Sequence, residues 1–240
     1  MNKLMIGLSG KAGSGKTLAR KLIVEELINL EVPEELIIMD SFANPVRKIV
    51  AELTGCTTDD LLKSEFKNKK LPEKWTKYKI TSKDKDLNSF DYNINNKHEL
   101  IDIFHSLIHL NENIDINVSS TIPTYRDLLR YIGTDVGRNS LNKDIWVDSL
   151  DKRFTSTSGE FYIIDDVRFL NEVNYIKDFC NGVIININDK NLKDNSSHES
   201  ETSLDSFDDY NYIIENTTKD LNKLRSKISF IINDITTNFN

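Results

Sequence analysis

Short uninterrupted apolar runs alternate along the chain with stretches in which apolar residues recur every three or four positions. Leu4-Met5-Ile6-Gly7-Leu8 has the length and continuity of a strand buried on both faces. Ser9 to Gly15 interrupts it with three glycines, after which Leu18, Leu22, Ile23, Leu27 and Leu30 follow at helical spacing. Leu36-Ile37-Ile38-Met39 predicts a second buried strand. Asn44-Pro45 sets an N-cap residue before a proline suited to a first helical turn, predicting a helix to Leu53 that stops at Gly55. Helical spacing returns over 125–132 and 143–154, and Phe161-Tyr162-Ile163-Ile164 predicts a strand ending in Asp165-Asp166. A helix then reaches Phe179, and strands are predicted at 183–187 and 210–214. Leu221, Leu224, Ile228, Ile231, Ile232 and Ile235 mark one face of a terminal helix. Strands alternating with helices imply an α/β fold, a mostly parallel sheet covered by helices on both faces.

Two stretches depart from that alternation. Residues 63–120 are rich in Lys, Asn, Asp and Ser, with one helical pattern at His98–Leu110, and read as part of an insertion packed on the core. Residues 189–209 are polar and acidic. A single domain is therefore expected, with its core in 1–43, 121–188 and 210–240, an insertion at 44–120 and a lid-like segment at 189–209. The chain of 240 residues is ample for a sizeable core. It has no apolar run of the roughly 20 residues that span a bilayer, and the first apolar run is too short for a signal peptide. Two cysteines, Cys56 and Cys180, exclude a disulfide scaffold and suit a reducing, cytoplasmic compartment. The net charge of −7 argues against a uniformly basic nucleic-acid binder, but it conceals two opposed segments. Residues 63–85 carry nine lysines against three acids, and residues 189–220 carry nine acids against three lysines.

The chemistry begins at Gly10-Lys11-Ala12-Gly13-Ser14-Gly15-Lys16-Thr17, a full match to the phosphate loop G-x-x-x-x-G-K-[ST] between a predicted strand and a predicted helix. Glycines let the backbone curl until successive N–H groups face one anion, and the helix that follows adds its positive end. Gly10, Ala12, Gly13, Ser14, Gly15, Lys16, Thr17 and Leu18 are thus the expected ATP-binding residues of a P-loop NTPase fold. Lys16 would reach the β- and γ-phosphates and Thr17 would ligate Mg2+. A second metal-binding acid is expected at Asp165 or Asp166, which end an apolar strand and lie close to Arg168 and Glu172 in sequence.

Only 8 of the 31 basic residues are arginines, yet Arg126, Arg130, Arg138, Arg153 and Arg168 fall within 43 positions. Arginine recognises phosphate with a planar, bidentate fork that lysine cannot copy, and Arg126 and Arg130 share one helix face. In the same block stand Arg126-x-x-Leu129-x-x-x-Gly133-Thr134-Asp135, Trp146-Val147, Asp166-Val167-Arg168-Phe169-x-Asn171-Glu172 and His198-Glu199-Ser200-Glu201. That ordered set resembles the deoxynucleoside monophosphate kinases of tailed bacteriophages, and the resemblance covers most of the chain outside 63–120.

The resemblance implies an adenylate-kinase-like fold and transfer of the ATP γ-phosphate to a deoxynucleoside 5′-monophosphate, in host cytoplasm if the source is viral. It implies that Arg47 and Arg126 grip the acceptor phosphate, and that Gly133, Thr134, Trp146 and Val147 shape the sugar and base pocket; Arg130 is a further substrate-binding candidate, and Arg130 or Arg138 could join Lys16, Arg168 and magnesium in meeting the transition-state charge. Asp166, Arg168 and Glu172 would line the acceptor site, with Lys16, Asp166 and Arg168 catalytic and Thr17 and Asp166 on Mg2+. The 44–120 insertion would then bind the monophosphate. One departure matters: enzymes of this fold often close an arginine-bearing lid over ATP, and 189–220 contains no arginine. Its acidity suggests repulsion from ATP and an open lid until magnesium and substrate bind. His198, Glu199 and Glu201 read either as a lid latch or as a solvated polar loop. His105 and His109 have metal-ligand spacing without a third ligand, and Trp75 and Tyr78 could stack on a base or anchor the insertion. The alternatives kept open are a P-loop kinase for another phosphate acceptor such as dephospho-coenzyme A, a DNA-stimulated ATPase, and a nucleotide switch; a homodimer is left open too.

Overall fold

The computed structural model describes residues 3–72, 78–82, 116–120, 122–192 and 198–239. The expected helix at His98–Leu110, with His105 and His109, lies outside the described residues, as do Trp75 and the Tyr78 side chain. The chain divides into two compact units, residues 1–45 with 137–240, and residues 46–136.

In the first unit, β1 (Leu4–Ser9) is buried along its whole length and leads through the glycine loop into α1 (Lys16–Asn29). β2 (Ile37–Asp40) precedes α2 (Asn44–Thr54), which starts where the Asn-Pro pair predicts and belongs to the second unit from Val46 on. The remaining strands of this sheet are β5 (Phe161–Val167), β6 (Val183–Asn188) and β7 (Tyr212–Glu215). The sheet is five-stranded and parallel throughout, in the order β2-β5-β1-β6-β7. β1 is therefore central, and the carboxyl ends of β1, β5 and β6 open on one edge, where ligands bind in open α/β sheets.

Alternation along the strands splits the core. Leu4, Ile6, Leu8, Phe161, Ile163, Ile185, Ile187 and Ile214 meet Leu22, Ile23 and Leu27 of α1 and five residues of the terminal helix Leu221–Phe239. Leu18 and Leu221, expected on those apolar faces, are exposed instead. Met5, Tyr162, Ile164 and Ile184 belong to the opposite set of strand positions and are also buried.

In the second unit, α3 (Ser64–Lys67) and α4 (Tyr125–Arg130) contribute to a separate core of Val50, Leu61, Leu71, Ile122, Tyr125 and Leu128. A reciprocal capping box between Thr124 and Asp127 starts α4. Beyond it the helix does not stop at residue 132 as expected but widens into a π helix at Tyr131–Leu141. No proline breaks that stretch, and Gly133 and Gly137 ease a backbone with i→i+5 bonding, as in Asn142 N–H to Gly137 O at 3.0 Å. β3 (Tyr78–Ser82) and β4 (Ile116–Ser120) pair antiparallel with Ile80 opposite Val118. No strand is expected there, because each run alternates for only five residues amid polar sequence.

Two buried carboxylates organise chain turns beside the sheet. Asp40, at the end of β2, accepts from Ser41 N–H at 2.7 Å, Asn44 Nδ2 at 2.6 Å, Arg153 Nε at 2.6 Å and Tyr162 Oη at 2.9 Å. Burial opposes its charge, but Arg153 and these donors outweigh burial and hold the carboxyl below its ordinary range. The helix Leu170–Asn174 begins with Glu172 Oε2 accepting from the N–H groups of Arg168 and Phe169, at 2.7 and 3.0 Å. Burial, reinforced by Asp166, pushes Glu172 up to about 8 against those bonds and Arg138.

Asp40→Ala removes the carboxylate partner of the Arg153 guanidinium and leaves it only neutral acceptors, so a loss of about 3 kcal/mol is expected in urea denaturation. For Glu172, the folded state retains a proton that the unfolded chain releases above its ordinary 4.5. This stabilising contribution is full at low pH and is lost as pH rises towards about 8. Melting curves of Glu172→Gln, compared with wild type, are expected to shift in the variant's favour across that window.

Candidate functional site

At the carboxyl end of β1 the chain turns back through three glycines with positive φ: Gly10, Gly13 and Gly15. Gly10 passes so close to β6 that a Cβ would lie 2.2 Å from the Ile187 carbonyl oxygen. Gly15, at φ 107°, ends the loop as the N-cap of α1, and a Cβ there would meet Asn216 Nδ2 at 2.6 Å. Both positions are closed to any side chain, which is why the motif demands glycine. Asn216 in turn donates to Ser14 O at 2.8 Å and locks the loop to the chain after β7. Its N–H also bonds Asn188 O, at 2.7 Å.

The loop suits a phosphate. The Ser14 hydroxyl is buried with no hydrogen-bond partner among the described residues, and the first N–H groups of α1 have no intrahelical acceptor. Ala12, Gly13, Thr17 and Leu18 are exposed on the loop and the first helical turn. The Lys16 ammonium folds back onto the loop carbonyls of Gly10 and Lys11, at 2.5 and 2.8 Å. Burial first, and Arg168 second, bring Lys16 down to about 8; Glu201, Asp165 and Asp166 oppose them.

The paired aspartates of β5 part company, because neighbouring strand residues face opposite sides. Asp165, one of the two expected acids, is engaged by Arg20 of α1 at 2.7 Å. Asp166 accepts from the N–H groups of Phe42 and Ala43, each at 2.9 Å, and so braces the turn into α2. Each Asp166 oxygen accepts one of these bonds and retains a lone pair, the chemistry a Mg2+ ligand needs. Among the described residues no cluster of three or more metal-binding side chains exists. Mg2+ at nucleotide sites takes one or two protein ligands and completes its shell with phosphates and water, so a sparse donor set is compatible with it.

Arg168 follows on the same strand end. One of its terminal nitrogens donates to Ser200 O at 3.0 Å and to the Glu201 carboxylate. Lys11 bonds the Glu201 carbonyl and pairs with Asp205 at 2.5 Å. The acidic segment, expected to repel ATP from an open position, thus has two of its carboxylates paired with cations at the sheet edge. Lys11, Arg168, Asn186, Glu201, Asp205 and Tyr210 are among the residues lining a cleft of about 320 Å³. Arg138 lies flat on the Phe169 ring, 3.6 Å from its centroid, and donates to Asn171 at 3.0 Å. Arg153 belongs to the Asp40 network.

Of the expected acceptor residues, Glu172 is 3% exposed and caps its own helix. Trp146 and Val147 are buried in the helix Ile145–Ser156. In the second unit, Arg126 donates to Asn68 at 2.9 Å and to Ser64 at 3.3 Å, and Arg130 lies 4.0 Å from Asp127. Thr134 is buried, Gly133 packs near Val46, and Arg47 is half-buried on α2. Sequence reasoning missed Lys11, which occupies a variable motif position, and Asn216, which no motif marks.

A family model described as deoxynucleotide monophosphate kinase matches residues 47–228. Among curated proteins, a deoxynucleoside-5′-monophosphate kinase of Escherichia phage T5 is 28% identical over 185 residues, 70% of each chain. A protein of Acanthamoeba polyphaga mimivirus, provisionally named a deoxynucleotide monophosphate kinase, is 24% identical over 226 residues, 89% of this chain and 88% of its own. Neither the dephospho-coenzyme A kinase nor the DNA-stimulated ATPase reading is favoured by these matches. With its parallel sheet, its complete phosphate loop and a match over most of its length, the chain belongs to the deoxynucleotide monophosphate kinase family.

Proposed function

We propose that the phosphate loop binds ATP with Mg2+ and that Lys16 and Arg168 carry the transfer of its γ-phosphoryl group to a deoxynucleoside 5′-monophosphate. The observation that supports this most directly is the curled glycine loop, with its buried Ser14 hydroxyl unpartnered among the described residues and Lys16 folded onto its carbonyls, beside which Arg168 adds a second cation. Two like charges are tolerated side by side where a polyanion is to be met.

The chemistry asks little of a covalent kind. The acceptor phosphate oxygen attacks the γ-phosphorus in line, the bond to the β–γ bridging oxygen breaks, and ADP leaves with that oxygen's charge. Acceleration then comes from positioning and from neutralising the equatorial oxygens. Lys16 swings from the Gly10 and Lys11 carbonyls to the β- and γ-phosphates, while the loop N–H groups hold the β-phosphate. Arg168 meets the transferring group. Mg2+ held by Thr17 and Asp166 would neutralise charge shared by the β- and γ-oxygens. The acceptor phosphate falls to Arg47 and Arg126, the arginines that the family resemblance assigns to it, with Arg130 a further substrate-binding candidate on the Arg126 helix face. Glu172, enclosed and with its pKa pushed up to about 8 by burial, supports the Arg168 backbone.

The test is ADP release from ATP with each deoxynucleoside monophosphate in turn, with single-stranded DNA as the control. Monophosphate-dependent ADP and a new diphosphate are expected; DNA-dependent free phosphate would overturn the reading. Arg168→Ala is expected to lower kcat about 100-fold, the scale of losing one donor to a transition-state oxygen. Its ATP KM should stay within about threefold, since the loop binds the ground state without it. ATP affinity is expected to fall as pH rises through about 8, where Lys16 of the free protein loses its proton. ATP binding then draws a proton onto Lys16, a net uptake that calorimetry in buffers of different ionisation enthalpy reads directly.

A further inference from the structure

We propose that Glu201 is a positioning residue for Arg168: its carboxylate sets the orientation in which the guanidinium meets the transferring phosphoryl group. The inference rests on the kinase reading above and deepens it. It answers the missing lid arginine, because here the cation stays on the sheet edge and the 198–209 segment supplies the group that orients it.

Four contacts from two cations fasten that segment. Arg168 reaches Ser200 O and the Glu201 carboxylate, and Lys11 reaches the Glu201 carbonyl and Asp205. His198 Nδ1 accepts from Ser200 N–H at 3.2 Å and caps the short helix Glu199–Thr202, which fixes the two carbonyls that the cations grip. The Glu201 side chain is 6% exposed and Arg168 is 32% exposed, so the carboxylate is an enclosed group rather than a solvated surface partner.

Both bonds to the segment fall on one terminal nitrogen of Arg168, while Nε and the other terminal nitrogen have no partner among the described residues. A planar guanidinium anchored at one corner has its plane fixed and its opposite edge available to a phosphate. The carboxylate does not occupy the phosphate cradle in place of a ligand: Lys16 bonds the Gly10 and Lys11 carbonyls, and Glu201 touches it only through its field. An anion seated against Lys16 would block; one gripping the far corner of Arg168 aims it.

The test uses the full chain and the best acceptor found among the deoxynucleoside monophosphates. Glu201→Ala is expected to lower kcat on the order of 10- to 100-fold, the scale of a misplaced catalytic group, with the ATP KM within about threefold. Glu201→Gln keeps an acceptor oxygen and is expected to recover part of the loss, which also guards against a variant that fails to fold. In an Arg168→Ala background, Glu201→Ala should cost no more than about twofold further, because its effect runs through Arg168. Wild-type kcat or a gain in Glu201→Ala, or losses that multiply in the double variant, would overturn the proposal while leaving the kinase reading intact. A wild-type chain that forms no diphosphate with any deoxynucleoside monophosphate would overturn both.

Discussion

Cations gathered to meet a polyanion repel one another, and the carboxyl edge of this sheet is arranged around holding them. Burial first, and the nearby Arg168 second, disfavour the charge on Lys16. Three carboxylates answer that repulsion, each by a different route. Glu201 takes one corner of Arg168, and Asp165 pairs with Arg20 behind the loop. Asp166 spends two bonds on the turn into α2 while its negative field still reaches Lys16. Glu172, enclosed and beside Asp166, keeps its proton and escapes adding one more charge to the cluster.

Strand order makes that arrangement possible. Because β1 lies between β5 and β6, the glycine loop, the Asp166–Arg168 turn and the residues after β6 emerge side by side although they are far apart in sequence. β2 on the far side of β5 brings Phe42 and Ala43 within reach of Asp166. The Asp40–Arg153 network then fixes the end of β2, so the backbone donors that hold Asp166 are themselves held. Phosphoryl transfer depends on positioning, and the positions are set here by buried charge on rigid strand ends.

The parts legible in the sequence were those whose cause is local. A glycine pattern that must curl around an anion is contiguous, and it appears in the structure between the strand and helix that flank it in the reading. Continuous apolar runs marked β1, β2, β5 and β6, although only β1 is buried along its whole length and Met39 of the edge strand β2 is exposed. Where two sources of periodicity compete, the reading failed. The Tyr131–Leu141 stretch carries no stop signal and no sign of its i→i+5 bonding, and the β3–β4 pair alternates too briefly to stand out from polar surroundings.

Residue type alone therefore determined that this chain binds a nucleotide phosphate and belongs with parallel α/β kinases, since the loop, its lysine and the arginine-rich block are written in order along the chain. Tertiary structure decided which of several similar charges does what. Their place at the end of an apolar strand does not separate Asp165 from Asp166, yet one faces Arg20 and the other the α2 turn. Glu172 and Glu201 are both acids near Arg168 in the pattern, yet one caps a helix and the other grips the guanidinium. Charge interactions in a folded protein depend on distance and burial, and both are properties of the packed chain that linear spacing does not carry.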